Sequence, residues 1–106
     1  MRIFAKTLFM ASKREIKKEV NFLFEEMIAD AIMIREIKKN QEQQKPVESL
    51  IMKSIDKHEE LIIRINHFEI RDEKQSVKQY FNTVAKEAID FFDDTYKQLN
   101  DIIQVK

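Results

Sequence analysis

A chain of 106 residues, 43% hydrophobic and 36% charged, has room for one domain and the composition of strongly two-sided helices. It contains no glycine, one proline and no cysteine, which excludes glycine-dependent phosphate and nucleotide loops, disulfide frames, thiolate zinc sites and cysteine nucleophiles. Nineteen basic residues balance nineteen acidic ones, so only a local patch, not the whole molecule, could draw the chain to nucleic acid or an anionic membrane.

In chain order, residues 1–11 read as a basic, partly apolar N-terminal arm ahead of a helical domain over 12–106. The arm's longest apolar run, Leu8 to Ala11, falls short of a signal-peptide core of about 7–15 residues. No run approaches the roughly 20 residues of a membrane span. A cytoplasmic protein is therefore expected, with a short organelle transit sequence as the alternative. "SKRE", Ser12 to Glu15, is a capping box that opens a helix running to about Lys39. "NQEQQK" then loses its apolar residues and ends at Pro46, which suits the first turn of a new helix. The second helix is predicted from about Pro46 to about Arg71. "IRINHFEIR" alternates at its start like a strand, but it continues a helical pattern. "RDEKQ" interrupts that pattern, and "SVKQ", Ser76 to Gln79, is a second capping box opening a third helix to about Ile103.

Rods of about 40 Å joined by short links make an all-α, antiparallel up-down-up three-helix bundle. The second link holds neither glycine nor proline, so helices two and three could instead fuse, and dimerisation would then complete a larger bundle. At about 100° per residue the inner faces are Ile16, Val20, Leu23, Phe24, Met27, Ile28, Ala31, Ile32 and Ile34 on helix one. They are Val47, Leu50, Ile51, Ile55, Leu61, Ile62, Ile65 and Phe68 on helix two, with a matching set from Val77 to Ile103 on helix three.

Helix one has apolar residues left over. Phe22, Ala29, Met33 and Ile37 lie together on the opposite side, with Glu26 among them. Leaving such side chains wet forfeits about 25 cal/mol per Å2 of apolar surface. A second copy of the chain, the N-terminal segment with Ile3, Phe4, Leu8, Phe9 and Met10, or a different helical protein could cover them. The expectation is a homodimer, with Glu26 at the rim limiting promiscuous association.

His58 falls within helix two's apolar face and needs a partner for its ring N–H. If the first link turns near Gln43, Asp30 and His58 come level, and a buried polar pair between them, or from His58 to Asp90, is expected. "SIDKHEELIIRINHF", Ser54 to Phe68, resembles the first conserved helix of hemerythrin-like domains, one spacer residue short before the histidine. Such domains take further histidines from later helices, whereas His58 and His67 are the only two here, so neither a di-iron centre nor any other metal or cofactor is expected. No catalytic residue, glycine-bearing nucleophile elbow or small-molecule substrate site can be read, and the acidic doublets point about 100° apart on their helices. The chain reads as a small non-enzymatic interaction or adaptor module. The alternative is a nucleic-acid-associated protein using Lys13, Arg14, Lys17 and Lys18 of "KREIKK".

Overall fold

The computed structural model describes residues 13–38 and 40–104. It is an all-α bundle of three helices, α1 (Lys13–Ile37), α2 (Gln41–Asn66) and α3 (Val77–Gln104), with a 3-10 turn at Phe68–Ile70 and no sheet among the described residues. Each helix packs on both others, α1 most extensively on α2. Helices two and three are separate rods. The arm over 1–11 and the Ser12 cap lie outside the described residues.

The first link sits earlier than the proline suggests. Asn40 is the N-cap of α2, and its Oδ1 accepts from the backbone N–H of Gln43 at 2.8 Å. Gln44 then reaches back with its amide to the carbonyls of Lys38 (2.6 Å) and Arg35 (3.2 Å), partnering acceptors that the end of α1 leaves open. Pro46 therefore lies inside α2 rather than at its start. It forgoes one helical N–H bond, but it precedes the fully buried Val47, whose packing holds the turn in place.

The second link breaks the helix without glycine, and no residue among those described has a positive φ. Arg71 makes the turn: its Nη1 donates to the carbonyl of Phe68 and its Nε to that of Gln75. The predicted capping box is in place, with Ser76 Oγ accepting from the N–H of Gln79 and Gln79 Oε1 accepting from that of Ser76.

The core has two parts. The larger gathers Ile16, Val20, Leu23, Phe24 and Met27 of α1 with Leu61 and Ile65 of α2 and Tyr80 to Phe92 of α3. The smaller, near the first link, holds Ala31, Val47, Leu50, Ile51 and Leu99. Buried Ser54 and Thr95 fall between them along α2 and α3, and the Ser54 hydroxyl donates to the Leu50 carbonyl at 2.7 Å. Three expected core residues, Ile32, Ile55 and Ile103, are exposed instead. The α1 and α2 faces are narrower than the sequence pattern implies.

Candidate interaction surfaces on α1

Each flank of α1 presents a different chemistry, because its residues face α2, α3 or solvent in turn. The α2 side is fixed by the short link. With the chain turning near Asn40, residues whose numbers sum to about 79 come level, as Arg35 and Gln44 do. Asn21 and His58 meet by the same rule: Nε2 of His58 lies 2.7 Å from Oδ1 of Asn21. An amide oxygen only accepts, so Nε2 carries the proton. The expected pair of His58 with Asp30 is corrected here, since the earlier turn moves His58 down α1 by about two helical turns. Asp90, the other expected partner, is exposed and pairs with Lys86 at 3.3 Å. The imidazole also stacks on Phe24 (centroids 5.3 Å apart, planes 10° apart), and Phe24 stacks in turn on Phe91 at 5.6 Å. One column of rings therefore joins all three helices. Burial pushes the His58 pKa below its ordinary value, and the nearby Glu25 carboxylate opposes this.

The α3 side of α1 is acidic. Asp30 accepts a hydrogen bond from the Tyr96 hydroxyl. Burial first, then the Asp30 and Glu26 carboxylates, hold the Tyr96 phenol well above its usual value, so at neutral pH it donates. The acids Glu26, Asp30 and Asp93 line an open cleft of about 520 Å³ here, together with Phe92, Tyr96, Asn100 and one cation, Lys97. Among the described residues no group of His, Cys, Asp or Glu could hold a metal ion.

The outer flank carries the surplus. Met33 and Ile37 are 56% and 66% exposed, Phe22 is 50% exposed, and Ala29 and Glu26 are exposed as well. Neither α2 nor α3 buries these residues. The offset that brings Asp30 level with Tyr96 also brings Ile37 close to the level of Ile103, which is itself 51% exposed.

The four basic residues at the start of α1 divide. Lys13 places its ammonium 5.3 Å from the centre of the Phe68 ring, where it helps pin the second link. Arg14, Lys17 and Lys18 line a separate concavity of about 470 Å³ with Asn21, Phe22 and Glu25. The sequence points to the cations, but not to Asn21 as a wall of this groove, because its placement depends on the α1–α2 register.

The seam between α2 and α3 is an ion-pair cluster that the sequence reading does not contain. Arg64 Nη2 lies 2.6 Å from Glu87 Oε2, and Lys57 Nζ lies 3.5 Å from Glu87 Oε1. The Arg64 hydrogen bond holds the Glu87 carboxyl below its ordinary value. The Tyr80 hydroxyl donates to the Arg64 carbonyl beside it. These contacts join rods and present no open site. Among the described residues no helix is long and apolar enough to cross a membrane. No known protein family, no curated protein and no solved structure matches the chain.

Proposed function

We propose that this small helical domain is a non-enzymatic, cytoplasmic interaction module that self-associates through the outer flank of α1. The observation that carries the reading is the exposure of Met33 and Ile37, with Ala29, on one side of a helix whose other sides are occupied. Full burial of a Met or Ile side chain is worth about 1.5–3 kcal/mol, so a covered flank is favoured strongly over a wet one. A two-fold interface must be self-complementary. Positions 22, 26, 33 and 37 are symmetric about the point between Ala29 and Asp30. In an antiparallel pairing Phe22 of one copy meets Ile37 of the other, Glu26 meets Met33, and the small Ala29 lets the helices approach at the axis.

Size-exclusion chromatography with light scattering tests this. The chain, 12.8 kDa alone, is expected at twice its mass. The Met33→Glu/Ile37→Glu double variant is expected at the single mass with its helical circular dichroism unchanged. A wild-type monomer at every accessible concentration overturns the reading, and a different helical protein then becomes the candidate occupant.

A second reading, association with nucleic acid through the start of α1, is supported by exposed Arg14 and Lys18 and half-buried Lys17 on one flank. Retention on heparin that falls with salt, and is lost when Lys13, Arg14, Lys17 and Lys18 become Gln, would sustain it.

A further inference from the structure

The concavity beside the start of α1 has features that a solvated helical end does not need. Arg14, Lys17 and Lys18 share it, and none of the three has a hydrogen bond or ion pair among the described residues. Elsewhere on the bundle Lys57, Arg64, Lys86 and Arg35 are ion-paired, while Lys45, Lys53, Lys74, Lys78 and Lys97 have no side-chain partner among the described residues, so what sets this end apart is three such cations gathered in one concavity. Lys17 is half-buried, and its ammonium has no carboxylate partner among the described residues. The only acid in the lining is Glu25.

Two further walls narrow the ligand. Asn21 lines the groove, and with its amide oxygen accepting from the His58 N–H its NH2 group remains as a donor. Phe22 contributes an aromatic ring that is half-exposed. Three cations, an amide donor and an aromatic ring are the set that holds a nucleotide in a flexible strand: charge for the phosphates and a ring for the base. An acidic protein segment would use the cations alone. A duplex keeps its bases inside and its phosphates on a convex cylinder, so a groove of this size, about 470 Å³, would reach few of either.

We propose that the groove lined by Arg14, Lys17, Lys18, Asn21 and Phe22 is a binding site for single-stranded nucleic acid. This rests on the second reading above and is narrower than it.

Fluorescence anisotropy of the full-length protein with a labelled ten-nucleotide single strand tests the proposal, set against the hairpin duplex of the same sequence and an oligo-glutamate peptide. The single strand is expected to bind tighter than the duplex. Replacing Lys17 and Lys18 by Gln should reduce the slope of log K against log salt by about 1.4, from roughly 0.7 per neutralised phosphate on a single strand. Phe22→Leu keeps an apolar side chain in the outer stripe but removes the ring, and should weaken single-strand binding on the order of tenfold. Lys45→Gln/Lys97→Gln, the first near the start of α2 at the other end of the bundle and the second in the cleft on the α3 side, should change neither. Equal affinity for strand and duplex, with Phe22→Leu silent, would overturn the site while leaving general nucleic-acid association standing. No binding to either nucleic acid would overturn both, and binding of oligo-glutamate alone would assign the groove to an acidic protein instead.

Discussion

The two seams of α1 are built from opposite chemistries. Toward α3 the helix presents acids, and the polar contact there is a tyrosine hydroxyl given to Asp30. Toward α2 it presents Asn21 and, nearer its start, cations, and the polar contact is an imidazole N–H given to an amide. A net charge of zero therefore conceals a helix with an acidic side and a basic side. The acidic seam closes on a charged acceptor, which makes its hydrogen bond the stronger of the two. The basic seam is closed by neutral groups, and Arg14, Lys17 and Lys18 have no carboxylate partner among the described residues. Between the seams, on the outside, lies the apolar stripe that neither neighbour buries.

The ring column links the seams, so cutting it should have the largest effect. Phe24 is fully buried and touches both His58 and Phe91. Phe24→Ala is expected to destabilise the fold by about 3–5 kcal/mol, a large share of the roughly 5–15 kcal/mol typical of a domain. Urea unfolding followed by circular dichroism measures it. A loss under about 1 kcal/mol would mean that the column does not join the helices. The acidic seam comes next. Tyr96→Phe removes the donor but keeps the ring against Phe92, leaving the Asp30 carboxylate to water. A loss of about 1 kcal/mol is expected by the same measurement, and the Tyr96→Phe/Asp30→Asn pair should fall short of additive because the two residues share one bond.

Much of the fold was legible in the sequence, since helical period reports which side chains face inward whatever the loops do. The absence of glycine is matched by the backbone, in which no residue among those described has a positive φ. The register between α1 and α2 was not legible. Pro46 resembles a helix start, but the polar run before it already contains the operative cap at Asn40, and a link moved by a few residues re-pairs every side chain across that seam. This is why His58 meets Asn21 and not Asp30. The burial of Ser54 and Thr95 was equally hidden, because a small polar residue carries no periodic signal. On α1 the sequence identified the outer stripe and the cations. It did not separate Lys13, engaged by Phe68, from the three that line the groove.

The smallest expected effect belongs to the basic seam and appears as a dependence on pH. The folded state holds His58 below its ordinary value of 6.5, so the neutral ring is the form the fold prefers. The unfolded chain takes up the proton first as pH falls through 6.5, and stability present above that value is lost until the folded ring is protonated as well. Carboxylates with an ordinary value of 4.5, such as Glu87, stay ionised across this window, which leaves the two imidazoles, His58 and the exposed His67 beside Glu69, and only a variant at position 58 tells them apart. The wild-type urea midpoint should therefore be lower at pH 5.5 than at pH 7.5. His58→Gln, which can still offer a side-chain donor toward Asn21, should lose most of that difference. The shift should be well below the Phe24→Ala loss, because the ring is only half-buried and Glu25 beside it favours the charged form. A pH response that persists undiminished in His58→Gln would place the titrating group elsewhere, and the two seams of α1 would then differ in charge but not in their sensitivity to protons.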